Sequence, residues 1–267
     1  MPPPLELPDF GSPHVVSRLD RRVLHLRVNR PERRNAFTQD MYRAIKRAAV
    51  WSDRQASLDA VCLTGTDEWF GSGGDLARRT GDGVTGLDEE WDGLDHFPFR
   101  HIERSRKVWV AKINGLCHAG GIDLCLHCDV TIASDRARFR LPELLRGLPD
   151  PMLASRLTAT VGLAMARYMI FTAAELSAPE ALAAGLVARV VPHDELDATV
   201  DWALTQIGRT GPAARAVLKR SLNAQLPVTD MTLFAQIPST EMFEGMNSFV
   251  EKRPARWHDD DVDGGAA

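Results

Sequence analysis

Cysteine is scarce in this chain, with four thiols (Cys62, Cys117, Cys125 and Cys128) among 267 residues. That is too few for a disulfide-built scaffold. All four sit in apolar runs, which reads as reduced thiols in a cytoplasmic protein. Long apolar runs are missing as well. No segment approaches the roughly 20 consecutive apolar residues of a membrane span, so no membrane partner is expected. The first eleven residues are Pro-rich and lack the charged leader and apolar core of a secretory signal. Positive charge is not in excess: the formal net charge is −4, which argues against a dedicated nucleic-acid binder. No internal repeat and no low-complexity linker interrupts the chain.

What is present is an ordinary globular composition, 44% hydrophobic and 25% charged, on a chain long enough for a main unit with a smaller appendage. Residues 1–11 and 259–267 read as disordered from their Pro-rich and Asp/Gly-rich compositions. Val15–Leu19 and Val23–Val28 alternate around Asp20-Arg21-Arg22 as a hairpin does. Thr38 can cap a helix whose apolar face carries Met41, Ile45 and Ala48 or Ala49. Short apolar strands are expected at Ala60–Thr64, Val108–Ile113 and Val130–Ala133. Helical stretches separate them, which implies a largely parallel α/β sheet with crossover helices. From residue 195 the pattern turns helical: Ala198–Ile207, Pro212–Ala224 and Met231–Met246. A core over 12–194 and a helical region over 195–258 follow from this change.

Three stretches carry chemistry. Trp69-Phe70-Gly71-Ser72-Gly73-Gly74-Asp75-Leu76 follows a strand, and its glycines let backbone N–H groups approach a ligand. Asn114-Gly115-Leu116-Cys117-His118-Ala119-Gly120-Gly121-Ile122-Asp123 leads from a strand into an apolar helix. The unpaired amides of such a helix start can bind an oxygen that becomes negative during reaction. Phe139-Arg140-Leu141-Pro142-Glu143 sets a carboxylate among apolar neighbours. Singly, each stretch is equally well a turn, a packing motif or a surface helix start.

In order, they resemble the enoyl-CoA hydratase/isomerase, or crotonase, superfamily. Asn29-Arg30-Pro31 with Asn35-Ala36-Phe37 is similar to its "NRP…NAL" segment. Val61–Thr64, Gly65 and Phe70–Leu76 resemble "VLTG…FCAGADL". Asn114–Asp129 resembles "NGxAxGGGxELAxxCD", and Glu143-Leu144 with Gly147 resembles "PEx…G". Phe249-Val250-Glu251-Lys252-Arg253-Pro254 is similar to the family's ending. The resemblance spans about Val15 to Trp257. It implies a superhelix of repeated ββα units ending in a helical trimerisation region, and a homotrimer or dimer of trimers.

The resemblance also implies site roles. The N–H groups of Gly74 and Gly120 match the oxyanion hole for a thioester oxygen. Asp123 and Glu143 match the two carboxylates that activate water and exchange the proton at Cα; crowding can push two such pKa values apart. Asp75 reads as a structural partner of its loop. The implied reaction is hydration of a 2-enoyl-CoA, with isomerisation, hydrolysis or acyl-CoA binding without turnover as alternatives. The implied ligand is an acyl-CoA thioester. CoA belongs to the substrate, and neither a cofactor nor a metal is expected. Arg33, Arg34, Arg78 and Lys252 are the candidates for the CoA phosphates, with Arg79 beside them.

The chain departs from the hydratases in three places. They carry glutamate where Asp123 stands, one methylene longer, and a reach shortened by about an ångström matters for a reacting group. Their Gly-rich loop after Glu143 is here Leu148-Pro149-Asp150-Pro151-Met152-Leu153-Ala154-Ser155-Arg156-Leu157. Ala77 stands where many relatives have lysine. Two further features have plainer explanations. Cys125, His127 and Cys128 lie at metal-like spacing but on one helix, where core packing accounts for them. His118 reads as a packing or hydrogen-bonding residue, and Asp88-Glu89-Glu90-Trp91 as a solvated helix face.

Overall fold

The computed structural model describes residues 5–75 and 97–258. It opens with the expected hairpin, β1 (Val15–Asp20) and β2 (Val23–Val28), followed by helix α1 (Gln39–Asp53). Thr38 stands at the α1 N-cap with extended backbone, and its hydroxyl donates to Asp40. The apolar face of α1 is fully covered at Met41, Ala44, Ile45 and Ala48.

Strands then come in pairs, each pair followed by a helix. β3 (Ala60–Thr64) and β4 (Trp69–Gly71) precede α2 (Phe99–Arg104). β5 (Val108–Ile113) and β6 (Leu116–His118) precede α3 (Gly120–His127). β7 (Val130–Ser134) and β8 (Arg138–Arg140) precede α4 (Pro151–Thr172), which kinks at Gly162. β9 (Leu176–Ser177), α5 (Ala178–Ala183) and β10 (Arg189–Val191) complete the wound part. The first strand of each pair enters a six-stranded sheet, ordered β1-β2-β3-β5-β7-β10. The second enters a four-stranded sheet, ordered β4-β6-β8-β9. From β2 to β10 the large sheet is parallel. This is the ββα superhelix of the crotonase fold.

β3 and β5 read as continuous apolar runs because both faces of the large sheet are covered. One face meets the main core. The other, through Ala60, Cys62, Val110 and Ile132, meets Leu196, Val200, Ala203 and Leu204 of α6 (Leu196–Gly208). The compositional change at residue 195 is therefore not a break in packing. α7 (Pro212–Asn223) follows. The single helix expected over Met231–Met246 is instead a 3-10 turn, Met231–Gln236, and α8 (Ser239–Val250). Pro238, lacking an N–H, stands between them.

Disorder over residues 1–11 is corrected from Leu5 onward. Phe10 is buried edge-on to Trp51, with ring centroids 5.8 Å apart, and its carbonyl accepts a hydrogen bond from Arg47. Leu5 and Leu7 pack on the same core. Proline content pointed to disorder, but three apolar side chains find cover beside α1. Residues 259–267 lie outside the described residues.

Candidate active site

The site grows from the ends of β4 and β6, where the small sheet gives way to glycine-rich backbone. The early Asn-Arg-Pro segment holds the first of these loops. Asn35, fully buried, donates through Nδ2 to the carbonyl of Trp69 at 2.6 Å. The Phe37 N–H donates to Gly73 O, and the Asp75 N–H donates back to Phe37 O, each at 2.8 Å. Asp75 pairs with Arg30 at 2.7 Å, both side chains largely covered. Asp75 thus anchors its loop, as expected.

The second loop turns at Ala119, whose φ of 52° lies in the left-handed region. Its carbonyl accepts from the N–H groups of Ile122 and Asp123, starting α3. A β-carbon on Gly73 would lie 2.5 Å from that of Ala119 and 3.7 Å from the Gly120 nitrogen, so the two loops are in contact. Neither the Gly74 nor the Gly120 N–H has an acceptor among the described residues. Two backbone donors are thus left open on adjoining loops, one of them at a helix N-terminus.

Carboxylates gather beside them. Asp123, in the first turn of α3, is 1% exposed, and its Oδ1 makes no hydrogen bond. Glu143 follows Pro142 as the first residue of a 3-10 turn, Glu143–Arg146. The residue is half-buried, but its Oε2 is sealed from solvent without a partner. Burial raises its pKa, the charges of Asp150 and Asp123 add to this, and the value reaches about 8 against the opposition of a backbone hydrogen bond. Glu143 therefore keeps its proton at neutral pH.

Asp150 is the third carboxylate, and the sequence reading did not single it out. It caps α4, accepting from the Leu153 N–H at 2.9 Å. Burial and then the charge of Asp123 raise its pKa to about 7, although helix amides and His127 pull the other way. Asp immediately before Pro is a helix-start signal, which would have found the cap. It would not have found the cluster. His127 also belongs here. Its Nδ1 is 2.8 Å from the Asp123 carbonyl oxygen and 3.4 Å from Asp123 Oδ1. It is turned away from a metal-like grouping with Cys125 and Cys128; Cys125 lies 3.6 Å from Cys117, sulfur to sulfur.

The remaining candidates are scattered. Arg33 and Arg34 are exposed at the 3-10 turn Pro31–Arg33. The charge of Arg34 reaches His118, whose pKa is lowered by burial against the pull of Glu175, 3.2 Å away, with Arg140 and Arg34 adding to the lowering. Lys252 is exposed just after α8. Arg78, Arg79 and the Asp88–Trp91 stretch lie outside the described residues.

The C-terminal end also touches the site. A β-carbon on Gly147 would lie 2.7 Å from the Glu241 carbonyl oxygen, and one on Gly245 would lie 2.2 Å from the Arg146 carbonyl carbon. α8 thus lies directly on the turn that carries Glu143.

Fold and site together define a crotonase-fold protein with two open amides on adjoining loops and a cluster of neighbouring carboxylates. The family model for enoyl-CoA hydratase/isomerase matches residues 18–260, and the chain belongs to that family. It is 33% identical over 264 residues to a mevalonyl-coenzyme A hydratase of Aspergillus fumigatus, covering 94% of each chain. It is 32% identical to a probable enoyl-CoA hydratase of Rhizobium meliloti, over 88% of this chain and 94% of the other. Among solved structures, an enoyl-CoA hydratase/isomerase from Pseudoalteromonas atlantica superposes with a TM-score of 0.76 at 30% identity, over 92% of this chain and 100% of the other. A methylmalonyl-CoA decarboxylase, with a TM-score of 0.80 at 22% identity over 92% and 98%, shares the fold. Among the described residues no helix is long and apolar enough to cross a membrane.

Proposed function

We propose that this chain adds water across the C2=C3 double bond of a 2-enoyl-CoA. The observation that carries the reading is the Glu143 Oε2, sealed from solvent without a partner among the described residues, on a carboxyl group whose pKa burial and the charges of Asp150 and Asp123 push up to about 8. The thioester oxygen accepts hydrogen bonds from the Gly74 and Gly120 N–H groups, which draws electron density from C3 and stabilises the enolate that forms. Asp123 accepts a proton from water as its oxygen bonds to C3. Glu143 delivers its own proton to C2. The sum is one water added, and the two carboxyl groups return to their starting states by proton exchange. Hydration by this route draws on no cofactor and no metal; CoA is part of the substrate, and Arg33, Arg34, Arg78 and Lys252 are the candidates to meet its phosphates.

Asp150 favours a second reading, double-bond isomerisation. A second carboxyl group that titrates near neutrality can take a proton from one carbon while Glu143 serves another. Assays on 2-enoyl-CoA and 3-enoyl-CoA separate the two. A 3-hydroxyacyl-CoA product from the 2-enoyl substrate supports hydration. Conversion of the 3-enoyl to the 2-enoyl compound with no hydroxyacyl product replaces it.

The working form we propose is a homotrimer or dimer of trimers in the cytoplasm. Leu163, Tyr168 and Phe171 on α4 and Leu218 and Leu222 on α7 are more than half exposed in the single chain, an apolar load that symmetric association would cover.

A further inference from the structure

His127 is a histidine with oxygen on both sides. Its Nδ1 lies 2.8 Å from the Asp123 carbonyl oxygen. A carbonyl only accepts, so Nδ1 carries a proton. The opposite nitrogen, Nε2, has no hydrogen-bond partner and faces Glu103 Oε2 on α2 at 3.9 Å. A neutral ring would turn a lone pair toward that carboxylate, whereas an imidazolium turns a second N–H toward it. The side chain is 1% exposed, so bulk solvent does not reach either nitrogen. The Phe99 ring lies nearly parallel to the imidazole at 5.0 Å, a face that favours a cation.

The charges around it alternate. Arg156 on α4 holds Glu103 at 2.9 Å, Glu103 faces His127, and His127 faces Asp123 Oδ1 at 3.4 Å. Beyond Asp123 stand Glu143 and Asp150.

We propose that His127 is a positioning residue, an imidazolium locked between Asp123 and Glu103 that fixes the Asp123 carboxyl group in place for the reacting water. This rests on the hydration reading only for its catalytic consequence. The alternating Arg156–Glu103–His127–Asp123 line stands without it. Burial disfavours the imidazolium, but the nearby Asp123 carboxyl group, the Asp123 backbone carbonyl and Glu103 outweigh burial and raise the His127 pKa. The same Asp123 charge keeps Glu143 and Asp150 protonated to higher pH.

Two measurements test it. The first is nitrogen NMR of the full-length protein carrying labelled histidine, with His127→Gln used to assign the signal among eight histidines. His127 is expected to stay doubly protonated above the pH at which an ordinary histidine loses its proton. In Asp123→Asn its titration should fall by about one pH unit or more. A singly protonated His127 at pH 7 in the parent protein overturns the proposal, whatever the enzyme's reaction. The second is the pH profile of 2-enoyl-CoA hydration. In His127→Gln the acid limb should move up by about one unit, with kcat lowered about 10- to 100-fold at neutral pH and KM little changed. An unmoved acid limb in a folded His127→Gln variant also overturns it. A parent that does not hydrate 2-enoyl-CoA sinks the hydration reading and leaves the NMR titration to decide this one. If His127→Gln fails to fold, the His127 signal is assigned in the parent through its contact with the Phe99 ring and the same titration decides.

Discussion

The hydroxyl oxygen of Tyr42 occupies the place a side chain at Gly120 would need: a β-carbon there would sit 2.3 Å from it. Contact that close leaves no room for any residue but glycine unless Tyr42, on α1, moves. Glycine at 120 is thereby required by a packing contact with another element.

This decides how the oxyanion assignment is best tested. Proline at 120 would remove the N–H but also strike Tyr42, so a loss of activity there has two causes. Gly74 is cleaner, because no described atom lies within 4 Å of its added β-carbon. Gly74→Ala, which keeps the N–H, should retain activity within a few-fold. Gly74→Pro should lose about 10²–10³ in kcat, with circular dichroism unchanged. Equal activity in the two variants removes Gly74 from the site.

Glu143→Gln should cost more than Asp123→Asn. The change removes the proton donor to C2, worth about 10²–10⁴-fold, and should abolish deuterium exchange at Cα. Asp123→Asn should slow hydration yet leave exchange measurable. In the parent, activity should fall as pH rises through about 8, where Glu143 gives up its proton. Normal Cα exchange in Glu143→Gln means that the proton role belongs elsewhere.

The raised Glu143 pKa also predicts a pH dependence of stability. The folded pKa lies above the ordinary value of 4.5, at about 8. The folded state therefore binds this proton more tightly than the unfolded state. The resulting contribution is fully present below about pH 4.5 and is lost as pH rises through about 8. Glu143→Gln has no such proton to lose. Unfolding free energies from urea titrations of variant and parent should diverge in favour of the variant between pH 5 and pH 9, by at most roughly 5 kcal/mol. Parallel curves would contradict the shift.

Gly245→Val should weaken catalysis from a distance. Even the first side-chain atom at 245 meets the Arg146 backbone, so α8 must lift from the Glu143 turn. The expected result is a kcat reduced about 10-fold or more, with far-ultraviolet circular dichroism near that of the parent. Full activity in this variant would show that α8 does not brace the turn.

Light scattering at micromolar concentration should give the mass of three or six chains of 29.5 kDa. A stable monomer rules out the proposed assembly and leaves the exposed apolar residues of α4 and α7 without that explanation.

Local patterning determined much of this protein. Alternation fixed the β1–β2 hairpin, unbroken apolar runs marked β3, β5 and β7, and the glycine-rich stretches at 71–74 and 120–121 marked backbone that approaches a ligand. Those signals are short-range, because strand period, helix start and glycine spacing are written within a few residues. Tertiary structure decided what depends on residues far apart in the chain. Asp150 looked like a helix cap and His127 like part of a cysteine cluster. His127 stands one turn along α3 from Asp123, but only the packing of α2 and α4 against α3 brings Glu103 to its other nitrogen and Asp150 toward Asp123. The proton on Glu143 was likewise not legible in Pro142-Glu143, because a carboxyl pKa is set by burial and by the charges facing it, and here both come from elsewhere in the fold.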